Sequence, residues 1–307
     1  MLLAVVLILI CILGFLAQSI GLCMVRGVKE WKAGNKEFLL AILLSGILAW
    51  VATSFANYAD ISLKFRTYQI SGWFIFGGAI FGLGTAFNQG CGVSTLGKLA
   101  RGDSNMFATI VGWLAGWTIL AYWQPQTGVI KTTLPDNITF LLLIIGSFAL
   151  IIWTFFGNKQ RRILWFSMMG IGLLAGLIFL YEPKWPPSGL LNQLSSALTG
   201  DEKKWPALEQ YSLFISLLLG MFLAAWRANK FLFVPFNFKR WVEHLCAGTF
   251  MGIGASLAIG GNDSQLLLAL PAFSPAGFGA VAGMLLGIWT GLLAREKLII
   301  KAGHIKS

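Results

Sequence analysis

Charged side chains are scarce in this sequence: Asp, Glu, Lys and Arg make up 11% of its 307 residues, whereas 57% are hydrophobic. Soluble domains usually contain about 25% charged residues. This shortage, with a mean hydropathy of +0.75, excludes an ordinary water-soluble protein and places most of the chain in a lipid bilayer. Thirteen tryptophans fit that setting, because indole rings anchor helices at the two membrane interfaces.

Histidine and cysteine are also rare, which limits the chemistry that the chain can perform. One of the two histidines lies in the tail and two of the four cysteines lie on segments far apart in sequence, so no zinc or iron–sulfur site, and no metal, is expected. The cysteines lie in or beside apolar segments, which argues against a secreted disulfide framework; they are Cys11, Cys23, Cys91 and Cys246. The sequence also lacks a Walker motif, a dinucleotide fingerprint and a credibly spaced Ser-His-Asp set, so neither an enzyme activity nor a cofactor is expected.

Apolar runs of about 20 residues, the length that crosses a bilayer, recur along the chain. They predict an all-α integral membrane protein with about nine transmembrane helices. The runs lie near residues 1–25, 37–57, 69–89, 104–123, 137–156, 163–181, 211–226, 241–260 and 275–294.

The basic residues give the predicted orientation. The net charge of +11 does not indicate nucleic-acid binding, because Lys and Arg are dispersed in short connections between apolar runs. With the N-terminus outside, 17 of the 23 Lys and Arg residues lie on the inner side and 6 on the outer side. Cytoplasmic loops are enriched in these residues, so we expect a multi-pass protein of a bacterial-type inner membrane with the N-terminus outside and the C-terminus in the cytoplasm.

The longest outer connection, residues 182–210, divides the chain. It holds YEPKWPP, LLNQLSSAL and TGDEKKWP, a pattern that predicts a turn, a short amphipathic helix and a second turn. We interpret it as a linker or cap between a first membrane half, residues 1–181, and a second membrane half, residues 211–307.

An internal repeat relates the two halves. A shift of 170 residues places GAIFGLGTAFNQGCGVSTL (78–96) over GTFMGIGASLAIGGNDSQL (248–266). The predicted topology sends the two copies through the membrane in opposite directions, so the sequence predicts two inverted repeats with glycine-rich broken helices. Inverted breaks are typical of transport sites, where half-helix N-termini direct N–H groups at an anion.

Close packing is the alternative role for repeated glycines. We prefer it for those inside the helices, which are Gly78, Gly82, Gly248 and Gly252. The first break differs, because it interrupts an apolar stretch with polar groups that lipid would penalise, and it is expected to line a protected cavity. Its residues are Asn88, Gln89, Gly90, Cys91 and Gly92.

Three segments resemble the YeeE/YedE family of sulfur-transport membrane proteins: NQGCGVSTLGKLARGD (88–103), GLCMVRGVKE (21–30) and MGIGASLAIGGNDSQLLLALPAFSP (251–275). The resemblance implies pseudo-two-fold inverted repeats, an hourglass shape and thiosulfate uptake along a central path where cysteines contact the substrate. Some relatives are linked instead to selenium metabolism.

Residue by residue, the resemblance makes Cys91 and Cys23 the leading substrate-binding candidates. The family often has a further cysteine in the second break, where this chain reads Gly260, Gly261, Asn262 and Asp263. This departure leaves the exact substrate open among thiosulfate, sulfite, sulfide and selenium species.

The chemistry of these residues fits a sulfur anion. A thiol is soft and polarizable, so it can contact a soft sulfur atom. Backbone N–H groups and the amides of Asn88, Gln89 and Asn262 would hold the oxyanion end. A simple packing role is preferred for Cys11 and Cys246 and remains open for Cys23.

Asp263 has three possible roles at membrane depth. It would be protonated, cap a short helix from Ser264 to Leu270, or couple protons to transport. Capping is the simplest of these. His244 follows Glu243 in a span that starts at Trp241, beside Lys239 and Arg240, and it is expected at the membrane interface.

Three functional readings follow. The first is an inner-membrane transporter or channel for thiosulfate or a related sulfur-containing anion, passed along cysteine contacts. The second is a membrane subunit that hands sulfur or selenium to a soluble sulfur-carrier protein. A scaffold whose glycines only pack helices is the third, and it leaves the polar break at Asn88–Gly92 unexplained.

Overall fold

The computed structural model describes residues 2–61, 67–123, 129–132, 136–200 and 205–304. The described chain is mainly helical; β1 (Thr67–Tyr68) pairs with β2 (Lys131–Thr132) in a short antiparallel ladder, and an isolated parallel bridge joins Asp103 and Val234. The helices are α1 Leu2–Ile20, α2 Met24–Lys32, α3 Glu37–Leu43, α4 Ala49–Tyr58, α5 Gly72–Asn88, α6 Gly92–Ala100, α7 Met106–Trp123, α8 Asp136–Phe155, α9 Lys159–Tyr181, α10 Pro187–Thr199, α11 Leu208–Arg227, α12 Phe238–Leu257, α13 Asn262–Ser264 and α14 Pro275–His304, with a 3-10 helix at Ser45–Leu48 and a π-helix at Gln265–Ala269.

Within the described ranges, six helical segments are long and apolar enough to cross a membrane, or eight if each of two bent helix pairs is one span. The six are Leu2–Lys32, Met106–Trp123, Asn137–Phe155, Lys159–Tyr181, Leu208–Arg227 and Pro275–Leu298. The bent pairs are Glu37–Leu43 with Ser45–Tyr58, at 41°, and Phe238–Leu257 with Asn262–Ala269, at 46°. The predicted all-α membrane protein is confirmed. The run at 69–89 corresponds to α5, which has 17 residues, and the count of nine crossings stays a prediction.

Glycines allow α7 and α12 to cross at close range. A Cβ atom added at Gly112 would collide with the carbonyl oxygen of Leu245, and one added at Gly248 would collide with that of Thr109. The same arrangement recurs between α5 and α14. Small residues let the backbones of neighbouring membrane helices come into direct contact.

On α5, a Cβ added at Gly78 would collide with the carbonyl oxygen of Ala280, and on α14 one added at Gly283 would collide with that of Ile75. The packing role expected for Gly78 and Gly248 therefore fits the structure. Since α5 packs on α14, α7 on α12 and α1 on α11, helices from the two predicted halves interlock.

The connection at 182–210 contains the predicted short helix, α10. Several of its side chains are buried, and it packs against α7; the buried residues include Ser188, Leu190, Leu191, Gln193 and Ser195. The helix α10 is therefore packed into the protein rather than lying free on its surface. Some basic residues behind the predicted orientation lie outside the described residues, namely Lys64, Arg66, Lys203, Lys204 and Lys306.

Candidate functional site

Cys91 lies at the turn between α5 and α6. Gln89 ends α5 in the left-handed conformation, with φ 56°, and its exposed side chain points away from the core. Cys91 then adopts extended backbone angles, with φ −77° and ψ 179°, and precedes the first residue of α6. Its side chain is fully buried. Cys23 has the same relation to α2, with φ −158° and ψ 118°, and is 8% exposed.

The thiols of Cys23 and Cys91 lie against each other, so we call them the thiol pair. The Cys23 thiol also faces the backbone N–H groups of Arg26 and Cys91, and the Cys91 thiol faces those of Met24 and Ser94. Neither α2 nor α6 has a side-chain cap. Because a helix N-terminus carries partial positive charge and unsatisfied donors, two such termini converge on the thiol pair.

Lys98 adds a full positive charge beside this site. Its Nζ atom lies 3.0 Å from the carbonyl oxygen of Gln89 and 3.5 Å from that of Asn88. The ammonium group is within electrostatic range of both thiols. The hydroxyl of Ser94 lies 3.7 Å from the Cys91 sulfur. The site therefore combines soft sulfur with donors and a cation, a set of groups suited to an anion that contains sulfur.

Asn88 holds the first break in shape. Its Nδ2 donates to the carbonyl of Gly90 at 2.9 Å and to the hydroxyl of Thr95 at 2.8 Å. Its Oδ1 accepts from Thr109 at 2.8 Å and contacts His244 Nδ1 at 2.8 Å. Since Oδ1 can only accept, the network assigns the proton to Nδ1 of His244. The Asn88 amide is thus fully engaged within the protein.

His244 has a partner in the first break. It is 7% exposed and contacts Asn88, because its position on α12 turns it toward α5. The local pattern, with Lys239 and Arg240 before the span and Glu243 beside the histidine, is that of an interfacial segment. The partner, Asn88, lies on a distant part of the chain, and no local signal pointed to the contact.

The second break repeats the backbone conformation of the first. Ile259 adopts the left-handed conformation, with φ 55°, as Gln89 does, and Gly260 follows with φ 146°. Gly261 is extended, with φ −77° and ψ −177°, and so matches Cys91. The short helix begins at Asn262, two residues before the expected start, and continues as the π-helix.

Asp263 occupies the position between two helix N-termini in this second break. Its Oδ2 accepts from the N–H of Ser188 at 3.0 Å, and its Oδ1 accepts from the Ser188 hydroxyl at 2.7 Å and from the N–H of Ser264 at 2.9 Å. Asp263 lies inside the short helix, whose N-cap is Gly261, so its carboxylate caps the start of α10 through Ser188 rather than the start of its own helix. The second break therefore has a glycine, Gly261, where the first has Cys91, and a carboxylate two residues later.

A cavity of about 410 Å³ lies against the second break, with a mainly apolar wall that also carries polar and charged side chains; we call it the polar cavity after these side chains. A water molecule takes about 30 Å³ in the liquid, so the space is sufficient for a small hydrated anion. The polar and charged side chains come from the segment after α9, from α10, from α13 and the π-helix, and from the residue before α14; they are Glu182, Lys184, Ser188, Asn192, Ser264, Gln265 and Ser274.

The two breaks meet at Trp113 of α7. A Cβ atom added at Gly92 would lie 2.6 Å from Cη2 of Trp113 and 3.4 Å from Oδ1 of Asn262. One added at Gly261 would lie 3.1 Å from Cζ2 of the same ring. Glycine at both positions therefore makes room for the indole, and the predicted site residues of the two halves form one contiguous region.

The remaining cysteines lie apart from this region: Cys11 is half-buried and Cys246 is exposed. Among the residues that the structure describes, no group of three His, Cys, Asp or Glu side chains is arranged to hold a metal ion.

Comparison with known proteins gives two matches. The model of the sulphur-transport family matches residues 137–290, half of the chain. The chain is also similar to the thiosulfate transporter TsuA of Escherichia coli strain K12, at 23% identity over 91% of this chain and 90% of that protein.

Proposed function

The chain belongs to the sulphur-transport family, whose members are transporters and not enzymes, and on that premise we propose that it carries thiosulfate or a closely related sulfur-containing anion across a bacterial inner membrane. The observation that carries the proposal is the thiol pair of Cys23 and Cys91, buried where the N-termini of α2 and α6 converge. The similarity to a thiosulfate transporter favours thiosulfate within the class of sulfur anions.

The site binds the two ends of such an anion differently. The terminal sulfur of thiosulfate is soft and contacts the thiols, which are polarizable and weak S–H donors. The backbone N–H groups at the two helix N-termini stabilise the negative charge, and Lys98 adds to their field. No covalent bond forms. Binding through these contacts is reversible, as transport requires.

The two breaks form the centre of a pair of inverted repeats in this proposal. Its support is the shared backbone conformation of Gln89 and Ile259, and of Cys91 and Gly261. The matching contacts of α5 with α14 and of α12 with α7 also support it. With nine crossings and the N-terminus outside, the polar cavity opens to the outside, and the thiol pair lies toward the cytoplasm.

The anion then follows one path. It enters the polar cavity, passes the junction of the two breaks at Gly92 and Gly261, and reaches the thiol pair before release near Lys98. Gln89, the one exposed residue among the predicted binding residues of the first break, lies at the exit. Asn88 contributes by holding the break rather than by touching the substrate, since its amide is already engaged.

The transfer of sulfur or selenium to a soluble carrier protein remains a second candidate, because two thiols in contact suit a persulfide relay. Their burial, at 0% exposure for Cys91 and 8% for Cys23, argues against it, since a soluble partner would have to reach them. A persulfide trapped on either cysteine in the working protein would favour this candidate over transport.

Uptake of labelled thiosulfate, and growth on it, in a strain that lacks other thiosulfate uptake tests the main proposal. We expect Cys91→Ala to lower the uptake rate by about tenfold or more, since loss of one contact to a charged ligand costs about 1.5–3 kcal/mol. Cys246→Ala is the matched control, because that cysteine is exposed and outside the site, and it should transport like the wild type.

Two results would contradict the proposal in different ways. A wild-type protein that is present in the membrane but gives no thiosulfate uptake would refute transport of this anion. Undiminished uptake by Cys91→Ala would refute the role of the thiol pair. Cys91→Ser removes the soft sulfur atom but keeps a hydrogen-bonding group. We expect its thiosulfate uptake rate to lie between that of the alanine variant and that of the wild type.

A further inference from the structure

Trp113 is wedged into the narrowest part of the proposed path. It is 1% exposed, and the outer edge of its six-membered ring lies against both Gly92 of the first break and Gly261 of the second. Phe81 packs against it edge to face, with 6.2 Å between ring centroids. This packing holds the indole in one orientation, and the two glycines leave a slot for it.

The two breaks that meet at this ring lead to different places. In the first break, Gly92 directly follows Cys91, whose thiol is fully buried. In the second break, Gly260 and Ser264 line the polar cavity. The Trp113 ring therefore fills the junction that a route from the polar cavity to the thiol pair through these two breaks would use.

The indole nitrogen of Trp113 is a buried donor without a hydrogen-bond partner. Trp117 lies one turn later on the same face of α7, lines the polar cavity, and also has a buried Nε1 atom without a partner. Buried donors are nearly always paired, because an unpaired one costs about 1–3 kcal/mol. Two such donors in succession, from the cavity to the junction, indicate a ligand that accepts hydrogen bonds along this line.

We propose that Trp113 is the gate and a selectivity-determining residue of the path. Its ring closes the junction of the two breaks, and its N–H, after that of Trp117, donates to the oxyanion end of the substrate as the ring turns aside. This assignment rests on the proposed function. Neutral N–H donors suit a path, because they hold an anion without the strong attraction of a cation and so allow its release.

The closure is tested by the chemical modification of Cys91. Membrane vesicles of known orientation are treated from one side or the other with a small anionic methanethiosulfonate, and the adduct on Cys91 is measured by mass spectrometry. We expect Trp113→Ala to increase the modification rate by about tenfold or more, and only from the side of the polar cavity. Equal rates in the variant and the wild type would overturn the gate.

Trp165 provides the matched control for loss of a buried tryptophan. It is 2% exposed, lies on α9 against Trp153 and also has an unpaired Nε1. Trp165→Ala should leave Cys91 as protected as in the wild type. An equal rise in both alanine variants would show general loosening of the bundle and would also overturn the gate.

The donor role is tested by Trp113→Phe, which keeps an aromatic ring but removes the N–H. We expect thiosulfate uptake to fall about fivefold to tenfold, with weaker discrimination against sulfate as competitor, while Cys91 stays protected. Trp165→Phe should change neither quantity, and identical behaviour of the two phenylalanine variants would refute the donor role. A wild type without uptake would refute the proposed function alone, because the modification of Cys91 reads the gate without transport.

Discussion

Asp263 places a carboxylate in a protein that is proposed to carry anions. Three donors surround it, from Ser188 and Ser264, and they are directed from the starts of α10 and α13. Since helix N-termini favour negative charge, these donors stabilise the negative charge of the carboxylate. Asp263 itself does not line the polar cavity, whereas its partners Ser188 and Ser264 do.

Replacement of Asp263 should destabilise the protein through these bonds. We expect Asp263→Ala to lower the free energy of unfolding by about 1–3 kcal/mol, because the donors of Ser188 stay buried without an acceptor. Asp263→Asn retains one acceptor oxygen and should cost less. Thermal unfolding in detergent, followed by fluorescence-detected size-exclusion chromatography, measures both.

The control for that prediction is Glu296→Ala. Glu296 is an exposed acid whose ion pair with Lys32 has a distance of 3.2 Å, and exposed pairs contribute about 0–1 kcal/mol. If Asp263→Ala unfolds at the same temperature as this control, the capping role of Asp263 is wrong.

At the same scale, the sequence identified which residues are unusual but not what each one touches. Asn88 was expected to bind an oxyanion, because an amide in an apolar stretch needs partners. The partners are Thr95, Thr109 and His244. Only the packing of α5 against α7 and α12 brings them to the amide, so a pattern local to residues 88–92 could not reveal that the amide is already satisfied.

Among the elements, α9 shows how position on one helix decides the function of a glycine. Gly172 faces the 3-10 helix at Ser45–Leu48, and a Cβ atom added there would collide with the carbonyl oxygen of Ser45. Gly170, on another face of the same helix, has only Leu16 Cδ1 at 3.9 Å. Sequence spacing alone does not separate these two glycines.

Alanine substitution at the two positions should have opposite effects. Gly172→Ala forces α9 away from the 3-10 helix and should cost about 1–3 kcal/mol, as overpacking does. Gly170→Ala meets open space and should be neutral or stabilise by up to about 1 kcal/mol through helix propensity. Melting temperatures of the purified variants in one detergent compare them directly. Equal destabilisation by both would show that the close approach at Ser45 is wrong.

For the whole molecule, the orientation in the membrane sets the direction in which the path runs. The predicted orientation puts the polar cavity outside and the thiol pair toward the cytoplasm, because 17 of the 23 basic residues then lie inside. In this orientation the substrate enters the wide cavity from the outside and contacts the thiol pair last, as the proposed uptake requires.

Reporter fusions decide that orientation. We expect a fluorescent protein fused to the C-terminus to fluoresce, because it would lie in the cytoplasm. Alkaline phosphatase inserted in the connection at 182–210 should be active, and phosphatase fused between α8 and α9, at 156–158, should be inactive. The reversed pattern would invert the path and place the thiol pair outside.

The sequence by itself determined the membrane class, the approximate spans and the two breaks. These follow from local properties: an apolar run must cover the bilayer, and polar residues at 88–92 or 260–263 must be sheltered from lipid. It also singled out Cys91, because a thiol between two glycines has little to pack against in its own segment.

Only the tertiary structure decided which of these residues meet. The contact between Cys23 and Cys91, the bonds of Asp263 to Ser188 and the place of Trp113 between the two breaks join segments that are distant in the chain. Such contacts depend on how closely the helices approach and how they are rotated. Those quantities arise from the packing of glycine faces on many helices at once, and no single segment encodes them.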